Sequence, residues 1–238
     1  MRLFHRALLL ILLAVTSFNV QNVQADPWDN DSKLLLHIRP PTQVNPCGAH
    51  GALDDCRDAV TSAGVLTVPA EGPYYFVYLL VGKGSTPAGV AGVRVGVTYQ
   101  GGGGGGANDH VGVDVLAWRS CATLDEITPG LSVWPAPGSG ITLTWDLPEN
   151  CQEHATPVAG YFYLGAYSAD VMTLIGDPAT GDATIRSCEA DMIELNESQD
   201  LGSVAFNVPG SGCNPCDAAC DDMPVLPATW GSIKTLLQ

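Results

Sequence analysis

Basic residues are scarce: the 238-residue chain has 10 Lys+Arg against 25 Asp+Glu, a formal charge of −15. A surface of that sign repels phosphate backbones and anionic lipid, so nucleic acid is an unsuitable partner. Helical periodicity is almost absent, and with it the crossover helices of a parallel α/β fold. Beyond the N-terminus no apolar run approaches the ~20 residues that a bilayer span needs. Catalytic motifs are missing as well. Gly138-Ser139-Gly140 lacks the outer glycines of a nucleophile elbow, and Val81-Gly82-Lys83-Gly84-Ser85 has the wrong order for a phosphate loop. The six glycines Gly101 to Gly106 are followed by a strand pattern rather than a helix, so they are expected to form a hairpin loop. His37, His50, His110 and His154 show no metal-binding spacing.

What is present begins with an export segment. Arg2, His5 and Arg6 precede an uncharged apolar run from Ala7 to Val15, and Val23-Gln24-Ala25 places a small residue just before Asp26. This is the layout of a signal peptide over residues 1–25. It assigns the remainder to a secreted, periplasmic or cell-surface compartment, where disulfides persist.

Short β-branched and aromatic runs follow, separated by Gly, Pro, Asn and Asp. Leu34 to Ile38 is one. Tyr74 to Val81 is nearly continuous and reads as a central strand covered on both faces. Val93, Val95, Val97 and Tyr99 alternate with Arg94, Gly96 and Thr98. The same alternation marks Val111 to Val115 and Ile141 to Trp145. Tyr161 to Tyr167 and Ser203 to Val208 complete the series. Many short strands between turns predict an all-β sandwich or barrel over residues 26–223. Residues 224–238 read as a tail, a candidate sorting or anchoring segment, with Thr229 as cap of a short amphipathic helix.

Eight cysteines stand at Cys47, Cys56, Cys121, Cys151, Cys188, Cys213, Cys216 and Cys220. An even number in an exported chain predicts four disulfides. Nearness along the chain suggests Cys47 with Cys56 and Cys121 with Cys151, leaving Cys188 to reach into the Cys213–Cys220 group. The competing reading is a zinc or iron–sulfur site at Cys188, Cys213, Cys216 and Cys220, which export disfavours. A redox role for Cys213-Asn214-Pro215-Cys216 would need a helix after the strand, and none is predicted.

Acidic clusters at Asp26, Asp29, Asn30 and Asp31, at Asp177 and Asp182, and at Asp221 and Asp222 match no EF-hand loop. They read first as solvated surface, with Ca²⁺ the one cofactor they leave open. Trp118 and Trp145 end strand runs and are expected in the core. Trp134, in the loop Trp-Pro-Ala-Pro-Gly, is the candidate exposed platform for a ligand.

The segment Pro87 to Tyr99 resembles the early strand of cohesin-like and carbohydrate-binding β-sandwiches, and Asp170 to Asp182 resembles their later strand and turn. The tail Ala228 to Lys234 is similar to a short C-terminal ending of exported bacterial proteins. The resemblance implies an antiparallel, cohesin-like or jelly-roll-like sandwich and a non-catalytic binding or adhesion module for a glycan or an extracellular protein. It transfers no catalytic residue. An extracellular hydrolase with a site assembled only in three dimensions, or a structural envelope protein, are the alternatives. N-terminal sequencing of the exported protein is expected to begin at Asp26, and material that still begins at Met1 would remove the compartment argument.

Overall fold

The computed structural model describes residues 32–41, 47, 53–63, 73–82, 89–99, 109–129, 132–208 and 212–220. The export segment, Gly101 to Gly106, His50, the acidic groups at Asp26–Asp31 and Asp221–Asp222, and the tail lie outside the described residues.

Alternating apolar residues become strands because one side of each strand can be buried while the other stays wet. One sheet has four antiparallel strands: β1 (Lys33–Arg39), β3 (Tyr74–Gly82), β8 (Val158–Ala166) and β5 (Val113–Ser120), in the order β1-β3-β8-β5. The second sheet centres on β4 (Val90–Thr98). One edge of β4 pairs with β7 (Ser139–Thr144), which pairs with β6 (Leu124–Ile127). Its other edge meets β10 (Ala183–Ser187) near its start and β9 (Asp170–Ile175) near its end. β11 (Met192–Leu195) lies outside β10, and β12 (Ser203–Phe206) outside β9. β2 (Ser62–Ala63) pairs with β12 in parallel, so this sheet is mixed.

The sheets pack face to face. Leu34, Leu36, Val77, Leu79, Phe162 and Leu164 come from the first, and Val93, Val95, Val97, Ile141, Leu143 and Ile185 from the second. All are essentially inaccessible to water. Each such side chain contributes ~1.5–3 kcal/mol by its burial. A smaller apolar layer lies on the other side of the four-stranded sheet. There Leu35, Tyr78, Leu80 and Val158 are covered by Leu53, Cys56, Ala59 and Cys216. The expected coverage of Tyr74 to Val81 on both faces is therefore met in its second half. The run expected from Val111 starts as a strand only at Val113, because Val111 is 56% exposed and Gly112 turns the chain with a φ of 65°.

All eight cysteines are paired, as expected, but with different partners. The bridges are Cys47–Cys121, Cys56–Cys216, Cys151–Cys188 and Cys213–Cys220. Cys47–Cys56 and Cys121–Cys151 do not form, and Cys188 does not enter the C-terminal group. The reason is topological. Cys56 lies over the end of β3, where Gly82 approaches both Cys56 and Cys216. The resulting bridge spans 160 residues. In the chain-entropy picture a loop of that length gives ~5 kcal/mol, more than a short local bridge.

Trp134 is corrected too. It is 5% exposed and forms part of the core rather than an exposed platform. Its ring stands edge-on to Trp118 at 5.1 Å and lies 5.5 Å from Phe162. The loop that carries it is tied down: the Tyr99 hydroxyl donates to the Pro135 carbonyl, and Ala136 N–H donates to the Val133 carbonyl. Trp145 is buried as expected, and Trp118 is half-buried against the same core. Trp134→Ala is expected to cost ~3–5 kcal/mol, read as a large fall in Tm. A Tm within 2 °C of the wild type would return Trp134 to the surface.

Candidate functional site

Among the described residues no group of three or more His, Cys, Asp or Glu side chains is arranged to hold a metal ion. No described helix is long and apolar enough to cross a membrane. Of the acids singled out from sequence, the two that lie among the described residues, Asp177 and Asp182, have internal partners. Asp177 is fully buried in the turn between β9 and β10. Its carboxylate accepts the Thr128 hydroxyl and the Ala179 N–H. Gly140 lies directly beneath it, and a Cβ there would fall 2.5 Å from the carboxylate. Asp182 accepts the Thr180 hydroxyl and pairs with Arg94 at 3.4 Å. His110 is stacked on Tyr167 at 4.4 Å, and His154 is exposed. These groups do not converge on a common point.

What the chain does build is two sheet faces of contrasting chemistry. On the second sheet, burial of Val93, Val95, Ile141, Leu143 and Ile185 turns their neighbours outward. The pairing then sets them in rows. One row runs Met192, Arg186, Gly92, Thr144, Leu124 across β11, β10, β4, β7 and β6. The next runs Glu194, Thr184, Arg94, Thr142, Glu126. Five strands give a width of roughly 19 Å. The middle of this platform is glycine and threonine with two arginines, Arg94 and the exposed Arg186, standing among them. Its two margins carry exposed apolar side chains, Met192 at 65% and Leu124 at 60%. Arg94 is held in place by Asp182 and by the Thr142 hydroxyl, to which it donates. Sequence reasoning placed β4 and β7 but missed the platform. β6 and β11 are short, and their exposed apolar residues carry no pattern of their own.

The outer face of the four-stranded sheet is aromatic. Tyr74, Phe76 and Tyr78 on β3 lie beside Tyr161 and Tyr163 on β8. Tyr74 stacks on Tyr163 at 5.7 Å, and Phe76 meets Tyr161 at 5.3 Å and Tyr163 at 5.6 Å. Tyr167 folds back over Gly165, where a Cβ would fall 2.7 Å from its ring. Its hydroxyl, desolvated and bonded to Tyr74, is pushed up to about 12. Tyr78 is fully buried, and its hydroxyl has no hydrogen-bond partner among the described residues. The other four rings are half-buried. Arg39 and Arg119 occupy the two margins, paired in register with Phe76 and Tyr161.

His37 closes this face on the β1 side. Val60 N–H points at its Nδ1 at 2.8 Å and the Arg39 guanidinium at its Nε2 at 2.9 Å, so both ring nitrogens face donors and a protonated ring finds no acceptor in either. Burial, with the Arg39 charge beside it, lowers its pKa from 6.5 to about 4. A cleft of about 680 Å³ opens next to it, lined by Arg39, Leu53, Asp58, Val60 and Tyr75 among others.

A scan against family models finds no match, and a search of curated proteins finds none either. Solved structures similar to the chain include cohesin modules. One belongs to a family 33 glycoside hydrolase of Clostridium perfringens, with 12% identity, a TM-score of 0.38, and coverage of 74% of this chain and 98% of that one. Another is the sixth cohesin of scaffoldin B from Acetivibrio cellulolyticus, solved in complex with a Cel5 dockerin. It has 11% identity, a TM-score of 0.42, and coverage of 74% and 99%. A type II cohesin domain from the cellulosome of Acetivibrio cellulolyticus has 10% identity, a TM-score of 0.35, and coverage of 74% and 96%.

The buried His37 makes stability pH-dependent. Unfolded, it takes a proton near 6.5; folded, it resists one until about 4. Stability is therefore unaffected above 6.5 and falls as the pH drops from 6.5 to 4, by at most ~1.4 kcal/mol per pH unit from this group. His37→Asn keeps an acceptor for Val60 N–H and does not titrate. The difference between wild type and variant in denaturant unfolding should grow with that slope across the window. A parallel pair of curves would rule this out.

Proposed function

We propose that this protein is a secreted or cell-surface, non-catalytic binding module that docks a protein partner on the outer face of its second sheet. The observation that carries this reading is the five-strand platform bounded by Met192 and Leu124. Stable interfaces combine a desolvated apolar patch with polar groups already held in position. Here Met192 and Leu124 supply the apolar anchors, and Arg94, locked by Asp182 and Thr142, supplies the fixed polar group. The rigid core and four disulfides keep the platform from reorganising, which lowers the entropic cost of docking. The absence of any convergence among the acids and histidines described favours binding over hydrolysis. The export segment expected from the sequence supports an extracellular setting, and an adhesive or assembly role fits a module that binds without turnover.

The test is affinity capture from the native extracellular fraction with wild type and with the double variant Leu124→Asp, Met192→Asp. Both positions are exposed, so the fold should be unchanged. A partner retained by the wild type should bind the variant at least tenfold more weakly, because two apolar anchors are lost and a charge is left facing the partner at each, together worth ~1.4 kcal/mol or more. Equal binding by the variant would place the docking surface elsewhere.

A further inference from the structure

We propose that the aromatic face of the four-stranded sheet is a second, independent binding site, and that it takes a glycan carrying uronic-acid carboxylates. Three observations lead there. First, four half-buried rings, Tyr74, Phe76, Tyr161 and Tyr163, lie contiguously on one sheet face rather than in the core. Rings so placed offer apolar surface, with hydroxyls at their margins, to a ligand that is itself half apolar and half hydroxylated. The C–H face of a sugar ring fits that description. Second, the core already has its own rings in Phe162, Trp118 and Trp134, so this second array adds nothing to the packing between the sheets. Third, the face has the wrong sign for its chain. In a protein with 25 acids and 10 bases, Arg119 stands exposed beside Tyr161, and Arg39 occupies the opposite margin beside Phe76. A guanidinium next to a stacking platform recognises a carboxylate through paired N–H donors, and Arg does this better than Lys.

The chemistry selects among ligands. A neutral glycan would use the rings and leave Arg119 without a counter-charge. An acidic peptide would meet Arg119 as well, and its binding in place of the hexamer would overturn the assignment. A uronate-bearing oligosaccharide uses both. Arg94 and Arg186 on the second sheet lie among glycine and threonine with no ring beside them, so of the two outer faces this one joins a guanidinium to a stacking surface. The buried Tyr78 hydroxyl marks the inner limit of the site, where Leu53 and Ala59 cover the sheet.

The experiment is calorimetric titration of the mature, oxidised protein with a hexamer of galacturonic acid and with its carboxyl-reduced neutral counterpart, at low and physiological salt. The acidic hexamer should bind, more weakly as salt rises, and the neutral one at least tenfold more weakly. Arg119→Gln, at an exposed position, should lower affinity for the acidic hexamer by roughly 10- to 100-fold and leave the neutral one unchanged. Tyr161→Ala should weaken both, and Tyr161→Phe, which keeps the ring, should restore most of the loss. The platform variant Leu124→Asp, Met192→Asp should bind the hexamer as the wild type does, which separates this site from the protein-docking face. No binding of the acidic hexamer, equal binding of the two hexamers, or no effect of Arg119→Gln would overturn the assignment. So would tyrosines that resist iodination in the free, folded protein, since the chain itself would then occupy the face.

Discussion

The burial of alternate side chains between two sheets is the constraint on which everything else in this molecule depends. Once Val93, Val95 and Val97 point inward, Gly92, Arg94, Gly96 and Thr98 must point outward. The same holds for Ile141 and Leu143 against Thr142 and Thr144, and for Val77 and Leu79 against Phe76 and Tyr78. A slip of one residue in any pairing would invert a face and place Arg94 or a tyrosine hydroxyl in the core. The core therefore does more than stabilise: it sets the composition of both outer faces. The two exterior surfaces differ because the out-facing positions differ. They are small and polar on β4 and β7, and aromatic on β3 and β8.

The disulfides act at the margins of this arrangement rather than in its centre. Cys56–Cys216 and Cys47–Cys121 tie chain segments to the four-stranded sheet from its outer side. Cys151–Cys188 joins the end of the β7 connection to the end of β10 beside Gly89. Cys213–Cys220 closes a small loop. The fold has a full core, so these bridges restrain loops and edges that the core does not reach. Asp177 works similarly at the β9–β10 turn, where a buried carboxylate over Gly140 is held by the local Ala179 N–H and by the Thr128 hydroxyl from beyond β6. The result is a scaffold whose faces are preorganised, which suits a module that binds.

Much of the fold was legible because period-two alternation is a local signal. Val93–Tyr99 and Ile141–Trp145 announced half-buried strands directly, and Tyr74–Val81 announced a central one. The disulfide partners were not legible, because nearness along the chain says nothing about which strand ends meet in space. Cys56 and Cys216 are 160 residues apart yet both lie over Gly82. Trp134 misled for a related reason. A Pro/Gly-rich loop usually runs over the surface, but this one folds inward, and its tryptophan fills the gap beside Trp118 and Phe162. The docking platform was invisible because it is assembled across five strands from single residues, none of which carries a motif. The aromatic face was half visible. The tyrosines of β3 and β8 stood out in sequence, while their common side emerged only from the register Phe76–Tyr163 and Tyr78–Tyr161.

The account turns on the outer face of the second sheet, not a loop end, being the surface that engages a protein partner. Methyl NMR reads this directly, because exposed apolar methyls mark both places: Met192 and Leu124 on the platform, and Val133, 70% exposed, in the loop beside Trp134. On titration with a captured partner, the Met192 and Leu124 methyl signals should shift together while Val133 stays where it is. A shift of Val133 with Met192 and Leu124 unmoved would contradict the account.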